Sequence, residues 1–327
     1  MKKRIFVAAP SCIASGGPEL LHQLCFKLNK FGYNAKMLYY ANKAENVETT
    51  EPVHPNYEVY NNLYTLSLEE ANDEEAIVIM PEVAVELIFY LPQSKKIIWW
   101  LSVDNYYDNI QLMYQKDLRN EEFIDVFGLG DEELLHFVQS YYAKDFVMKR
   151  LNIEENKIYY LSDYLRMDFE EEKKASVRNN YCLFNPKKGL EKVLYLIGQA
   201  SGITWLPIQN MTPKQVANLM DASKVYVDFG NHPGKDRIPR EAALRGCCII
   251  TNKAGSAAYY EDVSIPEEYK FEDIAQSAPQ IIELIKDIFQ NFDEHTKQFE
   301  HYRDKIRKEE INFDKNVLEI FEELANN

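Results

Sequence analysis

The sequence has 327 residues, of which 46% are hydrophobic and 27% charged, with a formal net charge of −15. That length suggests two domains of ordinary size, and the hydrophobic share excludes a mainly disordered chain. No stretch approaches the roughly 20 apolar residues of a membrane span, and Cys12, Cys25, Cys182, Cys247 and Cys248 show no CxxC spacing, so the expectation is a cytoplasmic chain with reduced thiols.

The run Met1–Pro10 begins with basic residues, but its apolar part is too short for a signal-peptide core. Ile5–Ala9 reads instead as a first strand. Leu20, Leu21, Leu24, Cys25, Leu28 and Phe31 then recur on one helical face, with Pro18 in the first turn and Gly32 as the stop. Ala35–Tyr40, Ala76–Met80, Lys96–Leu101, Phe123–Gly128 and Ile158–Leu161 are further predicted strands. The polar stretch Asp168–Asn180 reads as a linker. Alternation restarts with strand Tyr181–Phe184, helix Leu190–Gln199 and strand Ile203–Pro207. Thr212, Pro213 and Gln215 have the spacing of a capping box that opens a helix to about Ala222. Strand Lys224–Phe229, helix Pro239–Arg245 and strand Cys247–Thr251 follow, and the chain is helical and charged from Glu272 onward. Strands alternating with helices predict an α/β fold of two Rossmann-like domains, 1–172 and 173–300, with a helical C-terminal tail, 301–327, packing back on the first domain.

The charge is unevenly distributed. Residues 1–172 hold 16 Lys and Arg against 29 Asp and Glu, a net of −13, whereas 173–253 hold 13 against 5, a net of +8. A basic field of that kind suits a small anionic ligand. Nucleic acid is not expected as a partner, because the acidic half repels a polyanion and no basic stripe with interleaved aromatics is present.

The most informative stretch is Val225–Thr251, where a strand leads through a loop containing Gly230 and Gly234 into a helix at Pro239. Loops at the carboxyl ends of parallel strands form the ligand crevice of α/β sheets, and a helix N-terminus favours phosphate. Lys235, Arg237 and Arg240 add positive charge there, and Glu241 is expected in the first helical turn, where it can bind ribose hydroxyls.

The run Pro239-Arg240-Glu241-Ala242-Ala243, then Gly246 and the apolar strand Cys247–Thr251, resembles the donor half of GT-B fold glycosyltransferases of the group 1, family 4 kind. That resemblance implies two domains facing a central cleft. It also implies transfer of a sugar from a nucleotide-diphosphate donor to a glycan or glycolipid acceptor in bacterial surface-polysaccharide assembly, at the inner face of the membrane, without cofactor or metal. Glu241 matches the second acid of the family's paired-acid motif, but Pro233 stands where the first is found, so the sugar-facing role falls to Asp236 or His232 or is absent. Gly16 and Gly17 are similar to the family's glycine loop. Lys187 and Lys188, in the turn after the strand at 181–184, are similar to its Lys-Gly turn and imply neutralisation of the leaving diphosphate, Lys188 foremost, with Arg237 and Arg240. Gly255–Ala257 is expected to form either a plain turn or a backbone contact to phosphate.

In the acidic half, Asp104 follows Trp99 and Trp100 at a predicted strand end, where it can orient or deprotonate an acceptor hydroxyl while the aromatics stack on sugar rings. His22 is expected to be structural, and the histidines show no metal-ligand spacing. The absence of Asp-x-Asp, GxGxxG, GxxxxGK[ST] and GxSxG argues against metal-dependent GT-A, nicotinamide, P-loop and nucleophile-elbow chemistry. A sugar-nucleotide epimerase of the same fold and a non-catalytic polysaccharide-assembly protein are the competing readings.

Overall fold

A computed structural model describes residues 3–40, 51–115, 119, 127–130, 133–166 and 177–326. The chain divides into two units, Met1–Asp163 with Ile311–Asn327, and Tyr164–Glu310.

The first unit contains β1 (Arg4–Pro10), α1 (Gly16–Lys30), β2 (Asn34–Tyr40), β3 (Tyr64–Thr65), α2 (Leu68–Ala71), β4 (Ala76–Pro81), β5 (Lys95–Trp100), α3 (Val103–Tyr114), β6 (Leu135–Val138), α4 (Tyr141–Arg150) and β7 (Ile158–Tyr160). Its seven strands are parallel, in the order β3-β2-β1-β4-β5-β6-β7. Ile5 to Ala9 are buried on both faces of β1, as befits a central parallel strand covered by helices. The order reverses between β1 and β4, the topological switch point where α/β sheets open a crevice.

The second unit contains β8 (Asn179–Phe184), α5 (Leu190–Gln199), β9 (Thr204–Pro207), α6 (Pro213–Asp221), β10 (Ser223–Asp228), α7 (Arg237–Leu244), β11 (Cys248–Asn252), β12 (Lys270–Phe271), α8 (Ala278–Gln290), α9 (Phe292–Lys297) and α10 (Glu300–Arg307). Its five parallel strands run β12-β11-β10-β8-β9, with the switch point between β8 and β10. Thr212 and Gln215 form the capping box of α6. The last helix, α11 (Glu309–Asn326), carries residues 311–326 of the first unit. Phe313 stacks on Trp99 with ring centroids 6.5 Å apart, Phe321 packs on Phe137, and the buried Lys27 ammonium pairs with Asp314 at 2.7 Å.

Three expectations need comment. Residues 123–126 of the predicted strand lie outside the described residues, and Phe127–Gly130 is a turn in which Gly128 has φ +68°. The strand that pairs with β5 is instead β6, four residues hidden behind an acidic run. Most of the predicted linker and the 172/173 boundary also lie outside the described residues, whereas Asn179 and Asn180 already belong to β8. Among the described residues no helix is long and apolar enough to cross a membrane.

Phe313 is 1% exposed. Phe313→Ala is therefore expected to destabilise the first unit by about 3–5 kcal/mol. Chemical denaturation followed by Trp fluorescence measures this, and a loss below about 1 kcal/mol would show that α11 contributes little to that core.

Candidate functional site

The switch point of the second unit brings together the turn after β8 and the loop after β10. Gly189, with φ +63°, lies so close to β10's exit that a Cβ would sit 2.4 Å from the Phe229 carbonyl oxygen. A Cβ on Gly230 would fall 2.8 Å from the Lys188 Cβ. The turn itself is shaped by Asn185, whose side chain accepts from the Lys187 amide at 3.0 Å. This leaves Lys187 exposed and directs the Lys188 ammonium to Asp236, with which it forms an ion pair. Asp236 is the N-cap residue of α7, but its side chain makes no capping bond.

From β11, Asn252 donates to the Phe229 and Gly230 carbonyls at 3.2 and 2.8 Å. Beyond β11, the Ser256 amide donates to the His232 carbonyl at 2.9 Å and its hydroxyl donates to the Gly234 carbonyl at 2.7 Å. Gly255–Ala258 is a short 3-10 turn. The Ser256 polar groups thus hold the loop from within.

Arg240 also departs from expectation. Its guanidinium is 1% exposed and donates to the Asp236 and Lys235 carbonyls and, at 2.8 Å, to Glu309. Lys235 donates to the other oxygen of Glu309 at 3.0 Å. These two cations close the loop onto the start of α11 rather than facing a ligand. The half-buried Arg237 remains at the surface, paired with Glu241 at 3.1 Å. Because α7 begins at Arg237, two residues earlier than predicted, Glu241 falls beyond the first turn.

The loop also assembles a cluster that sequence spacing did not single out. Asp228, His232 and Asp236 offer ligand-type atoms within 4.8 Å of one another. The two ring nitrogens of His232 face different carboxylates, Nδ1 lying 3.1 Å from Asp236 and Nε2 3.6 Å from Asp228, and Lys188 occupies the outer side of Asp236. That is a chain of ion pairs, in which the cationic partners are side chains. Burial opposes charge on His232, but its bond to Asp236 and the fields of Asp228 and Asp236 hold its pKa above the usual histidine value. Burial likewise opposes charge on Asp236, while His232 and Lys188 outweigh it and hold the carboxyl below its usual range. With the ring 1% exposed, His232 is not sugar-facing.

In the first unit, Gly16 and Gly17 are the opening residues of α1, which no side chain caps. A Cβ at Gly16 would meet nothing within 4 Å, and one at Gly17 would meet only Leu101 at 3.6 Å, so their packing does not demand glycine. Asp104 is the second residue of α3 rather than a strand end, half-buried, with the Tyr142 hydroxyl 3.5 Å away. Its charge sits favourably at the positive end of the helix. Trp99, Trp100 and Tyr106 are fully buried, and Trp100 bonds His136 at 3.1 Å. They are core, which corrects the expectation of sugar stacking. His22 is buried between the Pro18 carbonyl and the Tyr39 hydroxyl, and burial lowers its pKa to about 4. Glu82, which sequence reasoning passed over, follows β4 directly, and its carboxyl accepts from the Leu101 amide at 2.9 Å. Burial raises its pKa to about 7 despite backbone bonds that favour the charge. A single acid directly after the apolar run Ala76–Pro81 was the available signal.

Two predictions follow from burial. Arg240→Ala leaves Glu309 partly uncompensated and is expected to destabilise the protein by about 3–5 kcal/mol, whereas Arg237→Ala changes stability by less than about 0.5 kcal/mol. Equal losses in denaturation experiments would contradict the distinction. For Glu82, the folded carboxyl holds its proton more tightly than the unfolded one does. Stability from this group therefore declines as pH rises from about 4.5 to about 7, and is flat above. The advantage of Glu82→Gln over wild type should grow between about pH 5 and about pH 8, by roughly 1–3 kcal/mol. A pH-independent difference would show that Glu82 does not titrate as its burial requires.

No family model matches the sequence, and a search of curated proteins finds no match. Solved structures are similar across nearly the whole chain. A glycosyltransferase from Rickettsia africae aligns with a TM-score of 0.62 at 13% identity, over 99% of this chain and 98% of that one. Anabaena HepE in complex with UDP-glucose gives 0.66 at 10% identity, over 98% and 100%. The lipopolysaccharide outer core galactosyltransferase WaaB gives 0.60 at 12% identity, over 98% and 99%. At these identities the likeness is one of fold, the two-sheet α/β architecture of the GT-B type.

Proposed function

We propose that the protein is a glycosyltransferase that moves a sugar from a nucleotide-diphosphate donor, a UDP-sugar in the simplest case, to a hydroxyl of a glycan or glycolipid. The observation that carries the reading is the switch point of the second unit. There, two strand-end turns meet too closely for a Cβ, and Lys187, Lys188 and Arg237 are gathered beside the uncapped start of α7. Such a surface recognises a diphosphate through side-chain cations and backbone N–H groups together. HepE, of the same fold, is known in complex with UDP-glucose, which supports the choice of donor.

In the reaction, the acceptor oxygen attacks the anomeric carbon as its bond to the donor diphosphate breaks. Lys188, with Lys187 and Arg237, stabilises the negative charge that develops on the leaving diphosphate, and stabilisation at that point lowers the barrier. Asp236 sets the position of Lys188, and Glu241 binds ribose hydroxyls. Arg240 acts through the loop that it anchors. Gly16 and Gly17 leave room at the start of α1 for the transferred group, and Asp104 orients or deprotonates the acceptor hydroxyl. The service we infer is assembly of a bacterial surface polysaccharide by a group 1, family 4 type enzyme, with peripheral contact at the inner face of the membrane. WaaB's role in lipopolysaccharide supports that assignment.

A nucleotide sugar present at 100 times its dissociation constant should stabilise the protein by about 2.7 kcal/mol. Lys188→Ala should weaken that binding about tenfold or more. Thermal shifts across a panel of nucleotide sugars measure both. Product analysis with donor alone and with donor plus glycan separates transfer from epimerisation. Absence of any shift across the panel would overturn the proposal.

A further inference from the structure

We propose that His232 is a positioning residue of the donor site: held as an imidazolium between Asp228 and Asp236, it balances the Asp236 carboxylate, so that the positive charge of Lys188 is available to a bound diphosphate. This rests on the reading of that surface as the donor site.

The ring stands between two carboxylates, an arrangement that favours a proton on both nitrogens. Nδ1 faces Asp236 Oδ2 at 3.1 Å, and Nε2 faces the Asp228 carbonyl oxygen at 3.3 Å and its carboxylate at 3.6 Å. Either neutral tautomer would set a bare nitrogen lone pair towards an acceptor oxygen. A doubly protonated ring donates to the Asp228 carbonyl and forms an ion pair with the Asp236 carboxylate. The backbone is arranged to keep the ring there. His232 has φ +49°, a left-handed conformation uncommon outside glycine. Its carbonyl accepts from Ser256, and a Cβ on Gly255 would lie 2.1 Å from that carbonyl oxygen. Strained, over-determined residues of this kind cluster at functional sites.

The other groups around the ring are already balanced or arranged along the same chain. From β10, Asp228 receives the Tyr226 hydroxyl at 2.9 Å and the Gly230 amide at 3.1 Å. A small cavity beside the ring is lined by Lys235, Asp236, Arg240, Thr251, Asp262 and Tyr302. Lys235 and Arg240 share the single carboxylate of Glu309, and Asp262 adds a second acid to that lining. Lys188 reaches Asp236 from the turn after β8. With the ring charged, the two aspartates are offset by His232 and Lys188. Without its proton the chain carries one net negative charge, and Asp236 holds Lys188 as its sole strong cation. An incoming diphosphate must then compete for that lysine against an added negative charge. By linkage, donor binding and protonation of His232 favour each other.

The test uses the intact protein, its His232→Gln variant and UDP-glucose, a probe whose diphosphate does not itself titrate near neutrality. Calorimetric affinities between about pH 5.5 and about pH 8.5 should fall about tenfold as the ring loses its proton. His232→Gln should bind at the weaker, high-pH level throughout. NMR titration of the wild-type ring, which needs no variant, should show its pKa rising with UDP-glucose and falling in Asp236→Asn. A purely structural histidine would alter thermal stability without changing the slope of affinity with pH. UDP-glucose binding with a flat pH profile, or a ring titration indifferent to Asp236→Asn, overturns this proposal alone. No UDP-glucose binding at any pH overturns the donor reading, and this proposal with it.

Discussion

The second unit is organised around one steric constraint, the approach of two backbone turns where β8 and β10 end. Gly189 lies against the Phe229 carbonyl and Gly230 against the Lys188 stem, and neither contact admits a Cβ. Once the turns touch, the rest has little freedom. Lys192 on the first turn of α5 caps the Phe229 carbonyl at 3.0 Å, Asn252 ties down that carbonyl and the next, and Ser256 fixes the middle of the loop. The ends of three adjacent strands thereby position a lysine, a histidine and two aspartates to within hydrogen-bonding distance. A parallel sheet can do this because its switch point leaves neighbouring strand ends uncovered by crossover helices.

Net charge is a poor guide to where a ligand is met. The central segment carries a net of +8, but several of its cations are committed internally. Arg178 donates to the Met220, Ser223 and Arg245 carbonyls, Lys224 to the Phe289 carbonyl, and Arg245 pairs with Asp221 at 3.0 Å. Lys235 and Arg240 are held by Glu309. These groups close helix ends and loops in a unit whose sheet has only five strands. Lys187, Lys188 and Arg237 lie at the switch point, so position, rather than the total, gives the segment its character.

This explains what could be read from the residues beforehand. Buried strands such as β1, β4 and β10 are legible because parallel strands are continuous apolar runs, and α5 and α6 because their periodicity and capping residues are local. Lys188 was legible because a turn after a strand is also local. Arg240 was misassigned because the partner that buries it, Glu309, lies 69 residues away and becomes a neighbour only through the fold. β6 escaped notice because four residues following an acidic run carry little periodicity. The Asp228-His232-Asp236 cluster was hidden differently. Its spacing of four suggests one face of a helix, yet Asp228 ends β10 and Asp236 stands at the N-cap of α7, joined by a loop that a left-handed histidine turns back on itself. An acid-histidine-acid spacing that brackets Gly230 and Gly234 was the trace it left in the sequence.

The two units use burial of ionisable groups in opposite ways. In the first unit desolvation dominates: Glu82, just after β4, is raised to about 7 and His22, on α1, is lowered to about 4, so both favour their neutral forms. At the switch point of the second, the charged forms of His232 and Asp236 are kept because each lies against an opposite charge. The same parallel-sheet topology thus provides two electrostatic environments, and the difference lies in whether each buried group was given an oppositely charged partner.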